Sequence, residues 1–202
     1  MHGSMIAEIE NRLRHSLPSG LFEHVVATAR AAAHLAEKCG TDPVAVTVAA
    51  LLHDCCRHLP DDRLLNLAEE FCIVVNDVER DKPVLLHGAV GAEVARTEFR
   101  VSDGRVLDAI RYHTTGRSGM SPVEQVVYLA DKLGPEKGGV PLRLEGADDL
   151  GAALLACVNQ SLRRCIRDGL PIHPRSVEMR NWLLGARAGR ERQGGRSLPQ
   201  EG

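Results

Sequence analysis

The sequence contains no apolar run of about 18 residues, the length a membrane-crossing helix needs. It also has no charged, then apolar, then small-residue leader. A cytoplasmic protein without a membrane span or signal peptide is therefore expected. There is no excess of positive charge: 25 Lys and Arg against 27 Asp and Glu give a net charge of −2, too little field to hold nucleic acid by bulk electrostatics. A local anion site stays compatible with that balance. The six cysteines (39, 55, 56, 72, 157 and 165) include no C-x-x-C pair, which argues against a zinc knuckle or a disulfide frame. They read as reduced thiols in mostly apolar surroundings, with Cys55 and Cys56 the pair at which oxidation would matter. Neither a strand-like alternation nor an internal repeat is present, so the expected class is all-α. With 202 residues, 44% of them hydrophobic, one domain with its own core is expected. Met1-His2-Gly3-Ser4-Met5 reads as a cloning remnant ahead of a native start at Met5, and His2 is set aside.

What the sequence does contain is helical periodicity. Ile6 to Ser16 carries apolar residues at Ile6, Ile9 and Leu13, and Pro18-Ser19-Gly20 ends it. Leu21 to Cys39 follows, closed by Gly40. On a helical wheel Leu21, Val25, Thr28, Ala32, Leu35 and Cys39 share one stripe with His24 at its edge, while His34 lies opposite with Glu23, Arg30 and Glu37. Asp42 followed by Pro43 is an N-cap with proline at the first position, and that helix runs through Val44, Val48 and Leu51 to end at His53-Asp54. Pro60-Asp61-Asp62 opens a segment bearing Leu64, Leu65, Leu67, Ala68 and Phe71, whereas Cys72 to Pro83 shows no clear period and reads as connection. Val84 to Phe99 returns to helical spacing, with His87 near Val90 and Val94. Ser102-Asp103 caps a helix in which Val106, Ile110 and His113 share a stripe. The capping box Ser121-Pro122-Val123-Glu124 starts a helix with Val123, Val127 and Ala130 on one face and Asp131 beside it. Gly134 to Gly146 reads as loop, Ala147 to about Arg167 as helix, Gly169-Leu170-Pro171 as a turn and Arg175 to Leu184 as the last ordered helix. Residues 186–202, poor in apolar side chains, are expected to be disordered, which leaves 6–185 as the domain.

His24, His53-Asp54, His87, His113 and Asp131 thus fall on five helical segments, each on or beside the buried stripe of its helix. Adjacent residues on a helix project about 100° apart, so one turn offers a nitrogen and a carboxylate together, and the two oxygens of Asp54 allow it to bridge. Four imidazoles and two carboxylates, with no thiolate, suit iron or manganese, and six ligands suffice for two ions sharing Asp54. Separate core histidines and ion pairs fit the same pattern.

The order His, then His-Asp, then His, His and Asp resembles that of the HD-domain metal-dependent phosphohydrolases. More narrowly, Leu85-Leu86-His87-Gly88, Arg111-Tyr112-His113-Thr114-Thr115-Gly116-Arg117, Leu129-Ala130-Asp131-Lys132 and Ile172-His173-Pro174 are similar to motifs of the bacterial HD-type symmetrical bis(5'-nucleosyl)-tetraphosphatases. The likeness runs from about Phe22 to Leu184. Its most specific part is the His-Thr-Thr-Gly-Arg loop, whereas the His-Asp pair marks the superfamily alone. The resemblance implies a single HD-domain helical bundle and a centre of two transition-metal ions, iron ahead of manganese, held by His24, His53, Asp54, His87, His113 and Asp131. It implies cleavage of diadenosine tetraphosphate into two ADP; beside that, Asp54, Arg57 and His58 are read as candidate catalytic residues. Arg57, Thr114, Thr115, Gly116, Arg117, Lys132 and Lys137 would bind substrate.

Two positions depart from the family pattern, which usually has Lys where Arg57 stands and often an acidic residue where His58 stands. Arginine keeps the charge but does not give up its proton, so phosphate binding survives the exchange and proton transfer does not. His58 is left as a candidate acid or an exposed helix-end histidine. The expected partner is a small nucleotide, with no nucleic acid and no membrane, and a homodimer is left open. Two alternatives stand beside the main reading. One is an HD phosphohydrolase acting on another nucleotide, since the metal shell is common to the superfamily; the other is a non-catalytic nucleotide-binding helical module.

Overall fold

The computed structural model describes residues 2–133 and 150–194. The described residues form ten α-helices and no strand: α1 (His2–Ser16), α2 (Ser19–Cys39), α3 (Pro43–Leu52), α4 (Asp61–Glu70), α5 (Asp77–Asp81), α6 (His87–Thr97), α7 (Gly104–Tyr112), α8 (Pro122–Lys132), α9 (Leu150–Arg167) and α10 (Pro174–Gly194). The fold is all-α, as the lack of alternation predicts.

Two helices form the centre. In α3, Ala45, Val46 and Val48 to Leu52 are all buried, so the helix has no polar face to turn to water and packs against α1, α2, α6, α7 and α8. Burying a Val or Leu side chain contributes about 1.5–3 kcal/mol relative to leaving it exposed, and Val46, Leu51 and Leu52 are fully buried. In α8, Val123, Glu124 and every residue from Val126 to Asp131 are buried, between α2, α3, α7 and α9. Each of these helices starts where its sequence says it should. The Asp42 carboxylate accepts the Val44 and Ala45 amides at 3.0 and 3.2 Å ahead of Pro43, and the Ser121–Glu124 capping box is complete. The amide of Gly40, at φ +63°, donates to Ala36 O and closes α2.

α6 crosses α7 closely. A Cβ on Gly88 would stand 2.8 Å from the Arg111 carbonyl oxygen, so glycine there lets the helices bearing His87 and His113 approach each other.

Three features differ from the sequence-based expectations. The 72–83 connection contains α5, whose cap is a second capping box, Asn76 with Glu79. The helix expected from Val84 starts at His87, preceded by a 3-10 turn over Pro83–Leu86, because proline at its start fixes a tighter entry. α10 continues past Ala186, since Arg, Ala, Glu and Gln are good helix formers even where too polar to pack. The expected loop at 134–146 lies outside the described residues. No helix among the described residues is long and apolar enough to cross a membrane.

Candidate metal centre

Three histidines are positioned by the same local device. His53 closes α3, His113 closes α7 and His87 opens α6, all with right-handed helical backbone. Each ring folds back on the carbonyl three residues earlier: His53 Nδ1 to Ala50 O at 2.6 Å, His113 Nδ1 to Ile110 O at 2.8 Å, and His87 Nδ1 to Val84 O. A carbonyl only accepts, so each Nδ1 must carry the proton and each neutral ring presents a bare lone pair at Nε2.

Those lone pairs converge on Asp54. Its Oδ1 lies 3.0 Å from His87 Nε2 and 3.3 Å from His113 Nε2. Its Oδ2 lies 3.4 Å from His53 Nε2 and 3.6 Å from His24 Nε2. The two oxygens therefore divide the four histidines into two pairs. Asp131 Oδ1 joins the second pair, 3.3 Å from His24 Nε2 and 3.5 Å from His53 Nε2. The ligand atoms of His24, His53 and Asp131 lie within 4.8 Å of one another, as do those of His53, Asp54 and His113. His53, Asp54, His87, His113 and Asp131 are buried, and the His24 side chain is 15% exposed.

Taken as purely structural, this cluster is poorly satisfied. His87 Nε2 and His113 Nε2 face each other at 3.0 Å with both ring protons committed elsewhere, an opposition of lone pairs that is repulsive unless something positive lies between. Neither His53 Nε2 nor Asp54 Oδ1 makes a hydrogen bond of good geometry, although both are buried. Buried polar atoms left in that state are costly. A cation removes both problems, and nitrogen and oxygen donors in this mixture suit a first-row transition metal; the residues fit the metal that the sequence implies.

The electrostatics agree. Burial opposes charge on His53, yet Asp54 and Asp131 raise its pKa to about 9. Burial lowers His113 to about 4, with His53 and His87 adding to it against the pull of Asp54. Burial also opposes ionisation of Asp54 and Asp131, but His53 and the other imidazoles hold Asp54 far below the carboxylate range, and Lys132, His24 and His53 do the same for Asp131. Two carboxylates whose field favours positive charge at buried His53 favour a cation at the same place.

Beside the centre opens a cleft of about 470 Å³, lined by Asp131, Arg57, Lys132 and Thr114 together with Gln160, Ser161 and Arg164 of α9. Arg57 Nη1 lies 3.5 Å from Asp54 Oδ2, and Lys132 Nζ lies 2.8 Å from Asp131 Oδ2. Thr114 Oγ1 lies 3.0 Å from His113 Nε2.

Other expected site residues are placed elsewhere. His58 lines a separate cavity of about 610 Å³ with Cys55 and Cys56, behind the His53-Asp54 turn. Thr115 Oγ1 donates to Gly116 O, the Thr115 carbonyl accepts from Ser176 Oγ, and the Gly116 amide donates to Tyr112 O, so this pair holds the loop in shape. Arg117 departs most from expectation. Its guanidinium grips Glu124 at 2.6 and 2.9 Å, reaches Asp108 at 3.2 Å and covers the Tyr112 ring. In the fold its fork is paired with the buried Glu124 carboxylate. Lys137 lies outside the described residues. The α9 side chains were not anticipated, for nothing in their local sequence marks them.

Residues 21–135 match the family model described as HD domain. Over 175 residues the chain is 30% identical to the protein of Bacillus subtilis (strain 168) named "Bis(5'-nucleosyl)-tetraphosphatase, symmetrical", covering 85% of this chain and 94% of that one. A protein of the same name from Halalkalibacterium halodurans is 30% identical over 166 residues, with 81% and 88% covered. A crystal structure from Clostridium acetobutylicum, described as a predicted HD superfamily hydrolase involved in NAD metabolism, is similar with a TM-score of 0.80 at 28% identity, covering 89% of this chain and 97% of that one. All six converging residues lie inside the matched span, three of them, His53, His87 and His113, at helix ends or starts that turn their rings toward Asp54, and the chain belongs to the HD-domain superfamily of hydrolases.

Proposed function

We propose that this chain is a two-metal phosphohydrolase that cleaves diadenosine tetraphosphate symmetrically into two ADP. One observation carries the two-metal part: the two oxygens of Asp54 face different histidine pairs, His24 with His53 and His87 with His113. On this reading His24, His53 and Asp131 with Asp54 hold one ion, and His87 and His113 with Asp54 hold the other, iron ahead of manganese. When bound, such ions supply Lewis acidity toward phosphoryl oxygens and toward water.

The chain's own residues supply the rest. Arg57 and Lys132, which line the cleft beside Asp54 and Asp131, bind the phosphates that flank the reacting one; the guanidinium forks onto two oxygens and the ammonium acts as a point charge. Thr114 offers a hydroxyl beside His113. Arg57 does not release a proton, so its part is binding. The cleft volume lies within the usual range for small-molecule sites, about 300–1,000 Å³. The names of the two bacterial relatives support the choice of substrate.

The test is anaerobically purified protein against a panel of nucleotides, with every product identified. ADP as the sole nucleotide product from diadenosine tetraphosphate is expected. Formation of AMP with ATP, or turnover confined to mononucleotides or cyclic dinucleotides, contradicts the proposal.

A further inference from the structure

Among the described residues three cations line the cleft, and they are not equivalent. Arg57 and Lys132 stand over the centre's own carboxylates, at 3.5 Å from Asp54 and 2.8 Å from Asp131. Arg164 comes from a different helix, α9. Its Nε lies 3.6 Å from Asp168 Oδ2, while Arg167 holds the same carboxylate at 2.8 Å. The Arg164 side chain is 75% exposed, so Asp168 leaves its fork largely available. Gln160, one turn earlier, lies on the same face of α9 and adds amide donors.

The helix is anchored in the fold. Leu154, Cys157 and Val158 are buried on the inner side of α9. Arg180 Nε donates to Asn159 Oδ1 at 2.7 Å and ties α9 to α10. A long cationic side chain in the same cleft as a centre that already has its own two cations suits an anion too extended to be satisfied at the centre alone.

We propose that Arg164, with Gln160 beside it, forms an outer phosphate subsite that selects polyphosphate chains over single phosphates. The assignment rests on the proposed function for the identity of the substrate. A lone phosphoryl group at the centre meets Arg57 and Lys132 and gains nothing from α9. A chain that spans the cleft brings further negative charge to Arg164, and a charged, bidentate contact is stronger than a neutral one. Arg164 is thus a specificity-determining residue; it does not touch the reacting phosphorus.

The experiment is equilibrium binding of inorganic tripolyphosphate and of orthophosphate to the metal-loaded protein, by calorimetry. It compares wild type, Arg164→Ala, Arg164→Lys and Arg163→Ala, with bound metal and Tm measured on each sample afterwards. Arg163 is exposed on the same helix and does not line the cleft, so its removal controls for bulk charge. Arg164→Ala is expected to weaken tripolyphosphate roughly fivefold to thirtyfold and orthophosphate by less than about twofold, in line with one lost charge-assisted contact. Arg164→Lys should recover part of the loss, because the charge returns without the fork. Arg163→Ala should match wild type. An Arg164→Ala variant that keeps wild-type tripolyphosphate affinity, loses both anions equally, or is matched by Arg163→Ala overturns the subsite. If tripolyphosphate binding depends on Arg164 and no dinucleoside polyphosphate is cleaved, the subsite stands and the proposed reaction fails. If diadenosine tetraphosphate is cleaved to ADP with an unchanged KM in Arg164→Ala, the reverse holds.

Discussion

His24 and His34 share α2 but not a face, and that difference sets their roles. His24 turns inward to Asp54 and Asp131, while His34 is exposed. His24→Ala, His87→Ala and His113→Ala are each expected to lose bound metal and hydrolysis, and His34→Ala to lose neither. Elemental analysis beside a turnover assay, on samples shown to be helical by circular dichroism, checks this. Equal damage from His34→Ala and His24→Ala would mean that α2 is wrongly faced. Arg117 is a residue whose type alone misleads. A guanidinium in a small-residue loop directly after a metal ligand reads as a phosphate hook, but Glu124, with its side chain 1% exposed, claims it. Arg117→Ala would leave that buried carboxylate without its cation. One side of the pair is a third exposed, which screens it, so the expected cost is roughly 1–3 kcal/mol. For a chain of this length that is about 3–10 °C in Tm. An unchanged Tm with a large loss of kcat/KM would return Arg117 to phosphate binding.

At the scale of elements, α5 shows what periodicity misses. It is five residues long, too short for an apolar repeat to register, so the 72–83 stretch reads as mere connection. Its signal is the cap: Asn76-x-x-Glu79 obeys the same grammar as Ser121-x-x-Glu124, with Asn in place of the usual hydroxyl. The helix matters because Glu79 also holds the start of α10. Its Oε1 lies 3.2 Å from His173 Nε2 and 3.3 Å from Arg175 Nη1. The His173 that stands out in the sequence thus serves as a clasp between α5 and α10, not as a metal ligand. Burial opposes ionisation of Glu79, but His173, the Asn76 amide and Arg175 together lower its pKa below the ordinary 4.5. A depressed carboxylate stabilises the fold fully above its unfolded pKa, and that contribution is lost as pH falls through the folded value. Glu79→Gln should therefore lower Tm at neutral pH, with the gap from wild type closing below the ordinary value of 4.5. Melting curves of both proteins across that range decide the matter, and a gap independent of pH would contradict the clasp. The longer helices were legible because their stripes repeat over several turns and their caps are explicit, as at Asp42-Pro43, Gly40 and Ser121-Pro122.

In the whole molecule, the centre was readable from the sequence and its surroundings were not, for one physical reason. The six converging residues sit on five helical segments, His53 and Asp54 sharing one, each on or beside the side that periodicity turns inward, so separate local readings converge without knowledge of how the helices pack. The α9 part of the cleft arises only when α9 lies alongside α8, and neither Gln160 nor Arg164 carries any local mark of that. The fate of Arg117 likewise depends on Asp108 and Glu124, which precede and follow the loop and reach it only in the fold. The central claim is that the buried histidines and aspartates are a metal centre rather than a satisfied polar core. Elemental analysis of the anaerobically purified, folded protein tests it most directly. About two transition-metal ions per chain, mostly iron, are expected from a shell of this kind, whereas a metal-free protein that is fully folded and hydrolytically active would contradict the account.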